Sequence, residues 1–459
     1  MLGTYRIVEV NLGEHHLKQV MQELQLHGQC EELALDFLSE AAVGDYLARR
    51  FGQAKLPDGL PGFIHRHTDG NPLFVVRVTE DLVQRELLTE HEGQWELSGG
   101  LSEESIHVPE GLRQFIEQQF VQLSGAERSL VEAASVAGVE FSAAAVAAGI
   151  QQTVEEVEIV YAGLAQRQHF LVDKGVAEWP DGTVAVRYGF IHALYQEVLY
   201  ARLTPGRRSG LYQRIGQRTE AAYGARADDI AAESALHFER GRDFPRPIQY
   251  WQKAGQRALQ RSANVEAIGH FTKGLELLNA RPDAAVTQST QRAEPGAEAQ
   301  RCQLLLALGE AQLKVGEYVA AQETLLRAAD TARELGATES LVRSALMLAR
   351  LTEQVGLSAV PAVGLLEEAL QRLGTTDRLL RAQTLGGLAR VLGVTGEHQP
   401  ARQYAQQAAA LARDLDDPEL LAANLEGMIH ALQGEHPQQR LAYATEMRSL
   451  PRPHGPKSW

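Results

Sequence analysis

The chain has 459 residues, of which 44% are hydrophobic but only 6% aromatic, and its formal net charge is −15. Acidic residues are spread along the chain, so nucleic acid and anionic membranes are disfavoured as main partners. Two cysteines, Cys30 and Cys302, are too few for a disulfide framework, and no apolar stretch approaches the ~18 residues of a transmembrane helix. We therefore expect a cytoplasmic protein.

The first part of the chain is predicted to hold one strand and two helices. The apolar run from Ile7 to Val10 predicts a strand, which would be the last strand of a sheet completed outside this chain. Apolar positions at i, i+3, i+4 and i+7 from Leu17 predict an amphipathic helix. Ser39 is a suitable cap for a second helix, and the Gly- and Pro-rich residues 52–62 predict a loop.

A third helix is predicted to begin at Gly70-Asn71-Pro72-Leu73. Proline is tolerated in the first turn of a helix because its missing N–H has no partner there. The expected buried face of this helix consists of Leu73, Val76, Val83 and Leu87. A short hairpin is expected around Trp95.

Residues 123–204 are predicted to form a compact unit of three short helices and a β-hairpin. The helices are expected at about 125–136, 142–149 and 153–167. A strand from Phe170, a turn at 179–182 and an alternating strand at 184–190 would form the hairpin. Three helices and a hairpin are typical of a winged helix. The segment Phe190-Ile191-His192-Ala193-Leu194 closes the hairpin and starts the next helix.

From residue 205 onward the sequence predicts helices with an internal repeat. The offsets 4, 8, 20, 24 and 27 of a tetratricopeptide unit are occupied by Trp251, Gly255, Ala267, Phe271 and Gly274. They are occupied again by Leu305, Gly309, Ala321, Leu325 and Ala328; by Leu346, Ala362, Leu366 and Ala369, with Arg350 replacing a small residue; and by Leu385, Ala389, Ala401, Ala405 and Ala408. Small residues at offsets 8 and 20 would let paired helices approach closely. Residues 281–300 lack apolar periodicity and predict a linker inside the array.

Together, these motifs resemble the STAND class of signalling NTPases, in particular the bacterial predicted-ATPase type. The resemblance covers nearly the whole chain from Gly3 onward. It implies a mainly α fold with AAA-type lid helices, a winged-helix unit with a small β-hairpin, and a tetratricopeptide-like α-solenoid. The implied regions are the last strand of a truncated NTPase core at 1–10, the helical lid region at 11–122, the winged-helix domain at 123–204 and the repeat array at 205–459.

The resemblance also implies residues that sense a nucleotide. In this family a strand ends in a Thr-x-Arg sensor, and Thr4-Tyr5-Arg6 stands at that position, so Arg6 would face the terminal phosphate. Guanidinium groups suit phosphate oxygens bidentately. The family's G-x-P motif touches adenine at the start of a lid helix, which implies this role for Gly70 and Pro72.

The family's winged helix carries a histidine that contacts the β-phosphate of ADP and locks the inactive state. The segment around His192 matches, although Ala193 stands where the family often has aspartate. A histidine can donate a hydrogen bond to phosphate, and a nearby polyphosphate favours its protonated form.

The largest departure from the family is the missing phosphate-binding part. The chain has no G-x-x-x-x-G-K-[ST] motif, since the dipeptide Gly-Lys never occurs, and no Walker B acids. Phosphoryl transfer depends on those groups, so we expect weak ATP or ADP binding, loss of Mg²⁺ and no appreciable hydrolysis by this chain alone. The chain would be a fragment of a longer frame or a degenerate scaffold, and the tail from Pro451 to Trp459 suggests a truncated array.

Other sites are weaker interpretations. The candidate recognition helix from Thr153 to Gln168 is acidic, which disfavours DNA binding. The run Arg207, Arg208, Arg214 and Arg218 is expected to be a solvated helix face. Metal binding by His15-His16 with His27 and Cys30, or by His65-x-His67, fits no structural zinc spacing, so no metal of its own is expected.

The sequence therefore predicts a regulatory or signalling protein. Its repeats would bind a protein or small-molecule effector, and its lid and winged helix would sense ATP or ADP. The full-length protein could also contain a P-loop, cyclase or kinase domain. Two alternatives remain open: an ATPase subunit completed by a separate P-loop polypeptide, and a tetratricopeptide scaffold independent of nucleotide. No catalytic residue is assigned.

Overall fold

The computed structural model describes residues 20, 24, 37–52, 56–91, 94–97, 110–167, 169–244, 246–280, 295–375, 377–432 and 437–451. The described part is mainly α-helical with two small antiparallel sheets, as predicted. No described helix is long and apolar enough to cross a membrane. The chain divides into two compact units, residues 1–227 with 237–243 and residues 228–236 with 244–459. The predicted strand at 5–10 lies outside the described residues.

The first unit begins with helices and one small hairpin. These elements are α1 Glu40–Arg50, α2 Leu60–Thr68, α3 Pro72–Gln84, β1 Leu88–His91, β2 Gln94–Leu97 and α4 Glu110–Gln122. The predicted cap of α1 is confirmed, because the Ser39 hydroxyl accepts the Ala42 N–H at 3.2 Å. The hairpin around Trp95 is confirmed as well. The loop predicted at 52–62 ends early, because Pro61 lies in the first turn of α2, where a proline needs no partner for its nitrogen.

Helix α3 begins where predicted but buries a different face. The Asn71 side chain accepts the Leu73 N–H at 3.1 Å, which caps the helix. Leu73 itself is exposed, and the buried residues are Phe74, Val75, Val78, Thr79 and Leu82. Helix α3 has apolar residues on two sides, so packing against neighbouring elements decides which side is buried.

A helix–hairpin unit follows, and we use this name for residues 124–223. Its elements are α5 Gly125–Ala137, β3 Glu140–Ser142, α6 Ala143–Ile150, α7 Val154–Gln166, β4 Leu171–Glu178, β5 Val184–Phe190, α8 Ala193–Arg202 and α9 Pro205–Tyr223. The three predicted helices are confirmed, and two of them start with capping boxes at Ser124 and Thr153. The strands form one antiparallel sheet in the order β3-β5-β4. Strand β3 was not predicted because three residues carry too little pattern.

The hairpin of β4 and β5 contains an irregularity. Leu171 pairs with Phe190 and Glu178 pairs with Val184, but the register shifts between Asp173 and Val176. Gly175 has a φ of +86° within this bulge, a conformation that glycine adopts without strain. Val184, at the turn end of β5, is exposed, whereas Tyr188 and Phe190 are buried.

Aromatic side chains dominate the core of the helix–hairpin unit. Tyr161 is fully buried, and its hydroxyl donates to the Leu130 carbonyl at 2.9 Å. Its ring lies 5.6 Å from Phe141 and 5.2 Å from Tyr188, both edge to face. Such pairs add to the free energy gained by burying the rings.

The arginines of α9 attach this helix to the unit, which corrects the expectation of a solvated face. Arg207 pairs with Glu132 at 2.9 Å, and Arg214 donates to the Gly149 carbonyl at 2.5 Å. Arg218 bonds Asp181 at 2.9 Å and lies over the Trp179 ring. The first unit therefore continues through α9, beyond the predicted boundary at 204.

The second unit is a tetratricopeptide-like α-solenoid. After a 3₁₀ turn at Gly224–Ile230 and α10 at Ala231–Arg240, helix pairs follow one another. The pairs are α11 Arg246–Gln260 with α12 Asn264–Asn279, α13 Pro295–Val315 with α14 Tyr318–Leu335, α15 Thr338–Val355 with α16 Val360–Leu373, α17 Arg378–Val394 with α18 His398–Asp414, and α19 Pro418–Ala431 with α20 Pro437–Ser449. Residues 295–300 of the predicted linker are helical, and residues 281–294 lie outside the described part.

Small residues bring the paired helices together as predicted. A Cβ on Gly255 would lie 2.4 Å from the Phe271 ring, and one on Gly309 would lie 2.6 Å from Leu325. In the third pair, Arg350 at the predicted small position is exposed, whereas its neighbour Ala349 is fully buried.

The pairs form two layers. Helix α15 contacts both α13 and α17, and α17 contacts α19; we call these four helices the first-helix layer. Helices α14, α16, α18 and α20 form the second-helix layer. Ion pairs connect successive helices of this second layer, including Arg333 with Glu368 at 2.8 Å and Arg413 with Glu446 at 2.8 Å.

Candidate functional site at the start of α3 and α8

Two of the predicted motifs lie together in the first unit. The start of α3 and the start of α8 are far apart in sequence, but Phe74 and His192 contact each other edge to face, with ring centroids 4.7 Å apart. The His192 Nε2 lies 3.7 Å from Asp69 Oδ2, in the turn before α3. We call Asp69, Phe74 and His192 the α3–α8 junction.

The local sequence fixes the orientation of His192. The residue follows β5 and is the N-cap of α8, with its Nδ1 accepting the Leu194 N–H at 3.0 Å. The preceding N–H of Ile191 donates to the Phe170 carbonyl at 2.9 Å. Because Nδ1 is an acceptor, the neutral ring carries its proton on Nε2, toward Asp69.

The surroundings of His192 favour its neutral form. Its side chain is only 6% exposed, and Nε2 makes no hydrogen bond of ordinary geometry, although it lies beside the Thr68 carbonyl. Burial lowers the pKa of His192 below its ordinary value of 6.5, while the Asp69 carboxylate partly opposes this shift. Asp69 is 62% exposed, so water screens its charge and burial has the larger effect.

Gly70 has a structural role next to the junction. Its φ is +72°, and a Cβ at this position would lie 1.9 Å from the Leu38 carbonyl oxygen. The Leu38 N–H also donates to the Gly70 carbonyl at 2.8 Å. Only glycine fits this close approach, so the residue sets the path of the turn that carries Asp69.

The predicted sensing residues are therefore partly brought together. Gly70, Pro72 and His192 belong to one region, and Pro72 is exposed. Arg6 lies outside the described residues. Asp69 was missed, because a sequence does not show that a side chain next to a glycine faces a distant histidine.

The junction can donate one hydrogen bond to an anion. The Nε2–H of His192 is that donor, and the Asp69 carboxylate stands where an anionic oxygen would bind. A phosphate oxygen fits this donor only when the exposed carboxylate turns away. The described residues contain no group of three or more His, Cys, Asp or Glu that could hold a metal ion.

The weaker candidate sites are occupied by structural contacts. His65 Nε2 lies 3.1 Å from the Leu38 carbonyl, and His67 Nδ1 lies 2.8 Å from the Phe63 carbonyl. On the acidic helix α7, the Glu158 carboxylate accepts the Val186 N–H at 2.8 Å. His15, His16, His27 and Cys30 lie outside the described residues.

Comparison with known proteins gives only distant structural similarity. No protein-family model matches the chain, and no curated protein matches it. Putative kinesin light chain TPR-like repeats from Podosopora anserina align at 21% identity and a TM-score of 0.35, covering 45% of this chain and 95% of theirs. BtubC (BKLC) from P. vanneervenii aligns at 16% identity and a TM-score of 0.37, and the alignment covers 53% of this chain and 97% of BtubC.

A Signal Transduction ATPase with Numerous Domains (STAND) protein with a tetratricopeptide repeat sensor, from Pyrococcus horikoshii, aligns over a longer stretch. The alignment covers 91% of this chain and 60% of that protein, at 10% identity and a TM-score of 0.34. Scores this low carry no argument about function, so the proposals below depend on the residues and contacts of this chain.

Proposed function

We propose that this chain is a regulatory protein whose repeat array binds a protein partner and whose α3–α8 junction responds to ATP or ADP. The observation that carries the second part is the contact of His192 with Asp69 and Phe74. It joins the two motifs that resemble the nucleotide-sensing residues of STAND proteins. Residues 11–122 act as the lid, and residues 123–204 act as the winged helix.

The contacts of His192 suggest how a nucleotide would act on the junction. In the described conformation, Asp69 supplies the anionic oxygen that faces Nε2. A phosphate with a higher affinity than the Asp69 carboxylate for Nε2 would displace that carboxylate. The ligand, rather than the contact of Asp69 with His192, would then connect the start of α3 to the start of α8. Pro72 is exposed and offers an apolar face to a base. We assign no hydrolytic residue.

The repeat array supplies the interaction surface in this proposal. Each helix pair buries its apolar side against its neighbours, and the outer sides of successive helices form one long surface. Protein partners are the usual ligands of such extended surfaces. A small-molecule effector stays an alternative ligand.

Titration with a fluorescent ADP analogue, with and without Mg²⁺, tests the nucleotide part. We expect saturable binding that is lost in Pro72→Ala and His192→Ala. Asp69→Asn should bind ADP more tightly, because it removes the competing charge, whereas Asp58→Asn changes another exposed aspartate and should bind like the wild type. Absence of binding in the wild type and in Asp69→Asn would refute nucleotide sensing.

A nucleotide-independent scaffold is the second candidate, and one observation favours it. Asp69 already partners the only polar atom that His192 directs into the junction, so the contact can be purely structural. This candidate predicts that His192→Asn, which keeps the cap of α8, leaves partner binding unchanged in the presence or absence of nucleotide. An ATPase completed by a separate P-loop polypeptide predicts instead that such a polypeptide restores hydrolysis when added.

A further inference from the structure

Helix α15 exposes one narrow face of the first-helix layer. Arg343, Met347, Arg350 and Gln354 follow one another at i, i+4, i+7 and i+11, so they share one side of the helix. The two arginines are exposed, and Met347 is half-buried between them. The opposite side is packed, with Ala345 and Ala349 fully buried. We call these four residues the arginine face.

The two arginines of this face differ from most arginines of the second unit. Arg333, Arg390 and Arg413 each hold a carboxylate within 3.2 Å. Arg343 and Arg350 form no ion pair or side-chain hydrogen bond with any described residue. In a chain with a net charge of −15, two unpaired guanidinium groups on one face are not explained by a shortage of acids.

Two acids of the same layer have cationic partners, whereas Glu339 of α15, one turn before Arg343, is exposed and forms no ion pair with a described residue. Glu310 of α13 is paired with Lys314 at 3.0 Å, and Glu353 of α15 is paired with Arg390 of α17 at 3.2 Å. Arg343 and Arg350 have no carboxylate partner among the residues that the structure describes. A ligand with matching negative charges would therefore gain two charge-assisted hydrogen-bonding groups without displacing a carboxylate of the chain.

We propose that the arginine face binds an acidic, extended segment of a partner protein. Seven helical steps separate the arginines by about 10 Å, which is close to the distance between residues i and i+3 of a peptide in the polyproline II conformation, where both side chains lie on one side. Met347 lies between them and offers an adaptable apolar contact. The favoured segment therefore has two carboxylates three residues apart with an apolar residue between them. This inference rests on the proposed role of the repeats in partner binding.

The test uses fluorescence polarisation with the full chain and a fluorescein-labelled peptide containing Glu-Leu-Ser-Glu between Gly-Ser flanks. The matched probe has Gln in place of both Glu residues. The variant R343Q/R350Q removes both guanidinium groups at exposed positions. The control R327Q/R448Q removes two exposed arginines from α14 and α20 of the second-helix layer, neither of which forms an ion pair with a described residue.

We expect the acidic peptide to bind the wild type and the control variant with equal affinity, and R343Q/R350Q to bind at least about tenfold more weakly. Raised salt should weaken binding by the wild type. Three results overturn the inference: no binding of the acidic peptide, equal binding of the Gln peptide, or equal loss in the control variant. A single-stranded oligonucleotide that binds through these arginines where the peptide fails also overturns it.

Failure of this inference is distinguishable from failure of the proposed function. If both peptides bind the wild type and R343Q/R350Q equally, the array still binds peptides, and only the arginine face is excluded. The ADP titration is a separate measurement on other residues. Circular dichroism spectra of both variants should match the wild type, because all four substituted side chains are exposed.

Discussion

The two units of the molecule are packed by different means. The helix–hairpin unit fills its core with large rings, and Tyr161 and Phe170 are fully buried there. The repeat array instead uses small residues at the contacts of paired helices, such as Gly255 and Gly309. An aromatic ring stabilises a core by burying a large apolar area at one position. A small residue stabilises a helix pair by leaving room for a large side chain of the facing helix. Opposite kinds of substitution should therefore damage the two units.

The largest expected effect is on the aromatic core. Tyr161→Ala removes a buried ring and the hydrogen bond to Leu130, and should lower the free energy of unfolding of the first unit by about 3–5 kcal/mol. Ile159→Ala on the same helix is the control, since Ile159 is exposed. Scanning calorimetry of both variants measures the shift. An unchanged transition in Tyr161→Ala would show that this core is not well packed.

The opposite substitution should damage the array. Gly255→Ala places a methyl group against the rigid Phe271 ring and should cost about 1–3 kcal/mol in the second unit. Gly269→Ala on the partner helix meets no neighbour and should stabilise by about 0.5–1 kcal/mol. Urea unfolding of both variants checks the difference in sign. Equal effects would mean that the close approach of α11 and α12 is not needed. Separate transitions for Tyr161→Ala and Gly255→Ala would show that the units unfold independently.

The smallest effect concerns the pH dependence of the first unit. The pKa of His192 is lowered by burial, so its neutral form stabilises the fold fully above its ordinary pKa of 6.5. As the pH falls below that value, the unfolded state gains the proton first and the stabilisation is lost. Urea unfolding of the wild type and His192→Asn at about pH 8 and about pH 5.5 should therefore show a smaller loss in the variant. An identical loss of stability in the wild type and the variant would show that a group other than His192 causes the pH dependence.

Much of the fold follows from local sequence patterns. Ser124 and Thr153 begin helices in the predicted places because each is followed three residues later by a glutamate that completes a capping box. The small residues Gly255 and Gly309 identified the helix pairs, because each lies at a fixed offset from the other residues of its repeat unit. Strand β3 was missed, because a strand of three residues carries too little pattern to be recognised.

The candidate site was predicted less completely. His192 and Pro72 were identified from motifs, and the cap of α8 and the turn at Gly70 are local features. That Asp69 faces His192 depends on the packing of two distant elements. The arginines of α9 show the same limit: their sequence suggests a charged surface, whereas Arg214 and Arg218 bind groups that only folding brings near.

The sequence by itself determined the helices, their caps, the hairpin and the repeat, because these depend on residues a few positions apart. Only the tertiary structure decided which face of α3 is buried, where the first unit ends, and which charges have partners. Each of these outcomes depends on which of several possible contacts between distant parts of the chain is the most stable. Two of them matter most for the proposed functions: Asp69 lies beside His192, and Arg343 and Arg350 have no carboxylate partner among the described residues.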